Sequence, residues 1–350
     1  MALFSLLTWC FSGLTGAVAP LIAAELGKGR HAVREIRRSV RMALWLGVLC
    51  GLIGMAICGF GETLLLAAGQ DPVVAAHAGG FLRILMWAMI PMILARVLRT
   101  FVATMGRPIF ATMITAAAIG VNIAANYIFV FGAFGIPAMG LNGSALASVT
   151  TSLIMLFAYV GAITANRHLR RYHLFGRLWR PEMARFKEIL FIGLPIGGTI
   201  LAEAGLFSGA AVLMGWIGEA ELAGHTIALQ IAAFAFQVPF GIGQAATIRV
   251  GFHYGAGDKE GVSHAGWAAI ALALCFMVFT ASALWLIPSA IISIYVDIHA
   301  PANAALVGFA VQFMAIAALF QLVDGLQTVS AGALRGLQYT KVPMIIAVFG

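Results

Sequence analysis

Long apolar segments recur along the whole chain and limit what it can fold into. Nine of them are bounded by charges and turn residues, at about 3–26, 40–68, 79–105, 108–131, 141–165, 188–217, 222–250, 262–296 and 302–334, and a tenth begins at 342. A helix of roughly 20 apolar residues crosses the ~30 Å hydrocarbon core of a bilayer. The pattern predicts an all-α polytopic membrane protein and excludes soluble enzyme folds. Segments two and eight exceed one crossing, so we expect them to tilt or to extend beyond the bilayer.

Basic residues are concentrated on one side of the predicted membrane. If the segments alternate in direction, one set of loops and adjoining helix ends holds 20 of the 21 Lys and Arg residues, and only Arg83 is left over. The other loops carry acidic residues, namely Asp71, Glu219, Glu221 and Asp297. The positive-inside rule places the basic loops in the cytoplasm, which predicts a multi-pass protein of the cytoplasmic membrane. The net charge of +8 therefore reflects topology and contact with the lipid bilayer, and nucleic-acid binding is not expected.

The sequence contains an internal repeat. SGLTGAVAPLIAAELGKGR aligns with FGIGQAATIRVGFHYGAGD at an offset of 228 residues, which matches Gly29 to Gly257. A weaker match pairs LRTFVATMGRP with LRGLQYTKVP and places Arg99 opposite Arg335, which makes these arginines candidates for closing the cytoplasmic side. Repeated bundles are typical of secondary transporters, whose sites lie near mid-membrane. The predicted organisation is an N-terminal lobe, a basic cytoplasmic linker and a C-terminal lobe, at 1–165, 166–187 and 188–350.

Glu203 and Asp324 are the only acids well inside predicted spans. A charge at the bilayer centre costs from about 2.5 to above 10 kcal/mol, which favours a functional role over packing. A structural carboxylate, neutral or hydrogen-bonded to a neighbouring helix, is the alternative. Asp324 lies about 16 Å along a helix from Arg335, so both acids are expected near one depth. Such acids exchange protons or bind cations, and the sequence leaves Na+ and H+ both open.

Other polar residues in the spans are candidates for lining a substrate cavity. Asn122 and Asn126 lie four apart on one face of segment four, beside Tyr127, and either bond a neighbouring helix or line a cavity. Gln321 and Gln327 flank the second acid, and we expect them to support its protonation or its coordination of a cation. A set spaced by seven residues on segment seven is interpreted as packing or cavity polarity: Gln230, Gln237 and Gln244.

Five stretches carry a resemblance to a known family: APLIAAELGKGR, NIAANYIFVFGAFGIPAMGLNGSALAS, ILFIGLPIGGTILAE, AGHTIALQIAAFAFQVPFGIGQAATIRVGFHYGAGD and FQLVDGLQTVSAGALRGLQYTKVP. Together they span essentially the whole chain, which resembles the multidrug and toxic compound extrusion (MATE) family, especially its NorM-like branch. The resemblance implies twelve helices in two bundles of six, with a V-shaped cavity between the lobes. The nine complete segments look like helices two to ten, and the tenth looks like the start of helix eleven. We therefore expect these 350 residues to be part of a longer transporter.

The resemblance also implies a function. Members of the family export organic cations and other amphipathic compounds in exchange for Na+ or H+. Glu203 and Asp324 match the family's acids in helices seven and ten, and Asn122 and Asn126 match polar residues of its N-terminal lobe. The implied protein is a monomer without cofactor or catalytic residues, and no metal is expected beyond Na+ at the two acids. The NorM-like acid of helix one has no counterpart in the chain, and Phe320 stands where some members have tyrosine.

Two other functions are weighed against the antiporter. A lipid-linked oligosaccharide flippase of a related family would need a strongly cationic cavity for a pyrophosphate, whereas the mid-span charges of this chain are acidic. An intramembrane enzyme would need facing catalytic groups. The sequence contains no HExxH motif, no paired catalytic aspartates and no Ser/His arrangement. The prediction is therefore a cation-coupled multidrug antiporter.

Overall fold

The computed structural model is built from α-helices. It describes residues 2–29, 32–67, 69, 71–133, 135–176 and 180–349, and no strand occurs among them. Within these residues, nine helical stretches are long and apolar enough to cross a membrane. They correspond one to one to the nine complete segments predicted from the sequence, so the predicted all-α polytopic fold is confirmed.

The helices follow one another with short connections. In the first part of the chain they are α1 Ala2–Gly16, α2 Val18–Lys28, α3 Ala32–Gly59, α4 Gly61–Ala67, α5 Pro72–Leu85, α6 Met89–Thr104, α7 Pro108–Phe131, α8 Leu141–Ala165 and α9 Arg167–Arg170. They continue as α10 Met183–Ile217, α11 Glu219–Ala256, α12 Lys259–Leu286, α13 Pro288–Ile292, α14 Ala304–Gly336 and α15 Lys341–Phe349. A 3₁₀ turn at Met86–Ala88 joins α5 to α6 within one span, and another at Pro301–Asn303 precedes α14.

The two segments that were expected to exceed one crossing are each divided. In segment two, α3 ends at Gly59 and α4 begins at Gly61, because glycine is a poor helix former and two of them flank a single residue. In segment eight, Pro288 restricts the residue before it, and Ile287 leaves the helical region with φ −131° and ψ 43°. The expectation that these segments tilt or extend beyond the bilayer stays a prediction. The extra length forms a separate short helix.

The two copies of the main repeat end in the same way. Gly29 follows α2 with φ 68°, and Gly257 follows α11 with φ 74°, a backbone region that glycine adopts without steric cost. After the second turn, the Asp258 side chain accepts hydrogen bonds from the Gly261 amide at 2.9 Å and from Nδ1 of His253 at 2.9 Å. These bonds favour the ionised carboxylate and hold the pKa of Asp258 below its usual value.

The described chain divides into two compact units, 1–201 and 202–350, and the division falls inside α10. The first unit has a core that includes Leu21, Ile93 and Phe101, and the second has a smaller one around Met314 and Ala318. The described parts of the predicted linker, 166–176 and 180–187, belong to the first unit, and 177–179 lie outside the described residues. The division of the chain into functional lobes at 166–187 stays a prediction.

In the second unit, α11 and α14 approach closely at small residues. A Cβ added to Gly332 would meet the backbone of Gly243, and one added to Gly336 would lie 2.8 Å from the carbonyl oxygen of Thr247. The Thr247 hydroxyl donates to the carbonyl oxygen of Gly332 at 2.7 Å. Small residues allow membrane helices to pack with their backbones in near contact. This crossing fixes the depth and rotation of α14, which carries Asp324.

Candidate functional site

Glu203 and Asp324 lie deep within two different membrane-spanning helices. Glu203 is in α10 and Asp324 in α14, and both side chains are half-buried. At 1.5 Å per residue, Glu203 is about 21 Å from the nearer end of its helix and Asp324 about 18 Å. Their carboxylates lie within electrostatic range of each other. The two predicted acids therefore lie on facing stretches of α10 and α14, which contact each other through Gln327 and Glu203 and through Phe207 and Phe320.

Two residues of α14 add to this acidic pair. Gln327, one turn after Asp324, donates from Nε2 to Oε1 of Glu203 at 3.4 Å. Arg335 is half-buried, and its guanidinium lies within electrostatic range of the Glu203 carboxylate. Helix α14 thus supplies an acid, an amide and a cation to the surroundings of Glu203. Arg335 was selected from the sequence only for its match to Arg99, which is exposed on α6.

Aromatic rings pack beside the acids. Phe207, one turn after Glu203, meets Phe320, one turn before Asp324, edge to face with ring centroids 6.2 Å apart. Edge-to-face pairs of this kind are favourable and exclude water from the space they occupy. The site at the α10–α14 contact is therefore apolar on one side and carries the amide of Gln327 on the other.

The remaining predicted glutamines have different surroundings. Gln321 is buried on α14 and donates to Oγ1 of Thr280 in α12 at 3.1 Å, while its own amide oxygen has no partner among the described residues. Gln230 and Gln237 are exposed on α11, and Gln237 bonds the carbonyl of Ala233 at 3.5 Å. Among the described residues of α11 and α14, Gln327 is the one predicted glutamine that hydrogen-bonds either acid.

The asparagine pair of the first unit is linked to a neighbouring helix. Asn126 donates to Oδ1 of Asn122 at 3.1 Å, and Asn122 donates to Oγ1 of Thr151 in α8 at 3.1 Å. Tyr127 is exposed beside them, with its ring 6.2 Å from that of Phe131. The interhelical hydrogen bond weighed from the sequence is present, and the polar group remains accessible on the surface of α7.

The sequence of the chain is similar to those of known proteins. The MatE family model matches residues 1–128 and 195–350. The chain belongs to the MatE family. It is 45% identical over 338 residues to the probable multidrug resistance protein NorM of Mesorhizobium japonicum, covering 97% of the chain and 72% of that protein. The probable multidrug resistance protein NorM of Brucella suis is 42% identical, with the same coverage.

Solved structures agree on the fold. The eukaryotic MATE transporter AtDTX14 superposes with a TM-score of 0.85 at 18% identity, covering 99% of the chain and 75% of that protein. A MOP superfamily transporter from Pyrococcus furiosus superposes with a TM-score of 0.86 at 18% identity, with the same coverage. The family match, the NorM relatives and the nine apolar helices of the described residues show that this MatE protein is a multi-pass membrane transporter and not an enzyme. All residues selected from its sequence as site candidates fall within the two ranges that the family model matches.

The sequence interpretation missed an ion-pair cluster in the first unit. Arg185, at the start of α10, donates to Glu35 at 2.8 Å, Glu188 at 2.7 Å and Glu25 at 3.4 Å. Arg38 of α3 bonds Glu35 at 2.8 Å and also pairs with a fourth acid, Glu182. The sequence does contain a signal for this cluster, because these acids lie among the basic residues of the predicted cytoplasmic loops. The positive-inside rule counts only Lys and Arg and therefore does not use it. The cluster joins the end of the linker to α2 and α3.

Arg96 is one of the 20 basic residues that the sequence assigned to one set of loops and adjoining helix ends. It lies half-buried within α6, with its guanidinium 5.1 Å from the ring centroid of Trp9 in α1. An arginine over an aromatic face is stabilised by the negative charge density of the ring, and the attraction increases where water is excluded. Arg96 therefore stabilises the contact of α6 with α1.

Proposed function

We propose that this MatE protein is a cation-coupled multidrug efflux antiporter, with Glu203 and Asp324 as its ion-coupling residues. The observation that carries the proposal is the convergence of these two carboxylates at mid-span, from α10 and α14. Ionisable groups inside a membrane span are expensive, and ion or proton pathways are their usual use. The acidic character of the site also argues against a pyrophosphate-linked lipid as substrate.

Charge balance suggests that one monovalent cation occupies the site. The two carboxylates and the guanidinium of Arg335 carry a formal net charge of −1 when all three are ionised. One Na+ or one proton brings the group to neutrality, which is the cheapest state in a medium of low dielectric constant. Carboxylate oxygens serve as ligands for Na+ as well as proton acceptors. The gradient of either ion would thus set the occupancy of the pair.

Coupling requires that the ion and the drug favour different conformations of the transporter. A ligand shifts a conformational equilibrium only by its difference in affinity for the two states. We infer that the exported compounds are organic cations and amphipathic drugs, because the NorM relatives are named multidrug resistance proteins. Asn122, Asn126 and Tyr127 are proposed to line the drug path, with Gln230 and Gln237 as further polar contacts. No cofactor is proposed, and the transporter is taken to work as a monomer.

The test is drug efflux driven by an imposed ion gradient. Glu203→Gln and Asp324→Asn keep the size of each side chain but remove its charge. We expect ethidium efflux from cells lacking other pumps to fall by a factor of roughly 5–150 in each variant, the range typical of coupling energies. Varying Na+ at constant pH, and then pH at constant Na+, identifies the coupling ion.

Glu260→Gln is the matched control, because Glu260 is exposed at the start of α12, away from the pair. It should transport normally. Membrane content and thermal stability of all three variants must equal those of the parent protein, so that lost efflux reports lost coupling. Unchanged gradient-driven efflux in both Glu203→Gln and Asp324→Asn would refute the coupling role.

A further inference from the structure

A basic cavity lies in the first unit where α7 begins and α8 ends. Its volume is about 490 Å³, and it is lined by the α6–α7 turn, the first turn of α7, Leu26 of α2, and His168, Leu169, Arg171 and Tyr172. Three basic side chains line it, Arg107, His168 and Arg171, and none of its lining residues is acidic. The cavity is therefore suited to an anion.

The two arginines are not neutralised within the described chain. The Arg107 guanidinium lies over the ring of Phe110 at 5.6 Å from its centroid. Arg171 lies over the ring of Tyr172 at 5.1 Å and donates to its hydroxyl at 3.1 Å. Neither forms an ion pair with a described carboxylate, in contrast to Arg185, which pairs with three. Arginine fixed on an aromatic face still presents its outward N–H groups to phosphate.

An apolar groove continues from the cavity along the membrane-spanning helices. It has a volume of about 250 Å³, and its wall on α7 begins at Phe110, which also lines the basic cavity. The wall runs to Val121, about 16 Å at 1.5 Å per residue, or half the ~30 Å hydrocarbon thickness. The opposite wall is formed by α8, from Ala162 inward to Ile154. A charged cavity at a helix end thus lies next to an apolar groove one leaflet deep, with Phe110 lining both.

We propose that this cavity and groove bind one anionic phospholipid from the leaflet next to the basic loops. Arg107, Arg171 and His168 contact the headgroup phosphate, and one acyl chain lies between α7 and α8. The groove is open to the surface that the bilayer covers, because two of its lining residues, Met113 and Ile154, are 63% and 43% exposed. Basic pockets between membrane helices on the positive side recognise anionic headgroups by charge.

The test is native mass spectrometry of the purified full-length protein, titrated with phosphatidylglycerol or with phosphatidylcholine. Each basic side chain near an anionic lipid is worth roughly a fivefold change in affinity, so Arg107→Gln with Arg171→Gln should weaken phosphatidylglycerol binding roughly thirtyfold. Binding of phosphatidylcholine should change little. Arg167→Gln is the matched control for charge, since Arg167 is exposed on α9 and does not line the cavity.

A second pair of variants tests the groove without altering charge. Ala117→Leu fills the groove, whereas Ala116→Leu adds the same bulk one residue away, outside the lining. We expect only Ala117→Leu to reduce bound phosphatidylglycerol. If inorganic phosphate displaces the lipid and Ala117→Leu has no effect, the site binds a free anion and the proposal fails. It also fails if neither the double variant nor Ala117→Leu changes lipid binding, as when a protein helix covers the groove.

Discussion

Gln327 offers the sharpest test at the level of single residues, because it touches Glu203 without carrying charge. Its amide donates to the Glu203 carboxylate at 3.4 Å and so stabilises the empty, ionised site. Gln327→Leu removes this donor at similar volume. We expect the apparent affinity for the coupling cation to rise roughly two- to tenfold, corresponding to a hydrogen bond of about 0.5–1.5 kcal/mol. Ethidium efflux measured against ion concentration gives this value.

Gln244→Leu is the control for this change, since Gln244 is exposed on α11 and has the same side chain. In Gln244→Leu, ethidium efflux should depend on ion concentration as it does in the parent protein. A fall in cation affinity in Gln327→Leu would contradict the prediction, because it would mean that Gln327 coordinates the cation directly through its amide oxygen.

The acids of the site could be predicted from the sequence, whereas their partners could not. Glu203 and Asp324 are conspicuous because charge is rare inside apolar spans. Gln327 stands beside Asp324 in the sequence, yet it bonds Glu203 of another helix. Which acid it meets depends on the rotation of α14 against α10, and the spacing of residues along a single helix does not contain that information. The nearness of Arg335 to Glu203 was hidden for the same reason.

At the level of helices, the crossing of α11 and α14 should be intolerant of side-chain bulk. Gly332 has no space for a Cβ because the backbone of Gly243 lies against it. Gly332→Val is expected to lower the free energy of unfolding by about 1–3 kcal/mol, the usual cost of overpacking. Thermal unfolding in detergent measures this cost, with Gly266→Val as control because a Cβ built there meets no neighbouring side chain or other helix within 4 Å. If the free energy of unfolding falls equally in the two variants, helix propensity alone explains the effect.

The Arg185 cluster should stabilise the contact of α10 with α2 and α3. The Arg185 side chain is 20% exposed and pairs with three carboxylates. Arg185→Gln therefore leaves several half-buried carboxylates without a cationic partner. We expect Arg185→Gln to lower the free energy of unfolding by roughly 1–3 kcal/mol, which lies between the values for exposed and buried ion pairs. Thermal unfolding should show this loss shrinking at high salt.

Arg180→Gln serves as the control for the cluster, since Arg180 is exposed on the same connection. Arg185→Lys should recover only part of the stability, because an ammonium group lacks the planar fork that reaches two carboxylates at once. If Arg185→Gln and Arg180→Gln unfold at the same temperature, the cluster contributes nothing measurable.

Helix ends were predicted well only where the sequence marks them. The bounds 108–131 and 141–165 agree with α7 and α8, because Pro108 can start a helix and Gly132 and Gly140 have positive φ. Helices α10 and α11 begin earlier than predicted, at Met183 and Glu219. Hydropathy locates the part of a helix that crosses the membrane. Charged first turns, such as that of α11, extend beyond the membrane-crossing part of the helix, and hydropathy does not detect them.

For the whole molecule, the distribution of charge predicts how the chain crosses the membrane. The turn between α11 and α12 belongs to the basic set of loops, and the connection between α13 and α14 belongs to the acidic set. The positive-inside rule places the first in the cytoplasm and the second outside the cell. Lys259 and His299 are exposed in these two connections, so each can report the side of its loop.

Single cysteines at these positions test the orientation directly. In a background with the native cysteines replaced by alanine, a membrane-impermeant maleimide should label His299→Cys in intact cells and Lys259→Cys only after permeabilisation. Restoring Cys275 alone provides the control, since it lies within the span of α12 and should resist the water-soluble reagent in both conditions. The opposite labelling pattern would place the basic loops outside. The Arg107 cavity would then face the outer leaflet, and the direction proposed for drug export would be reversed.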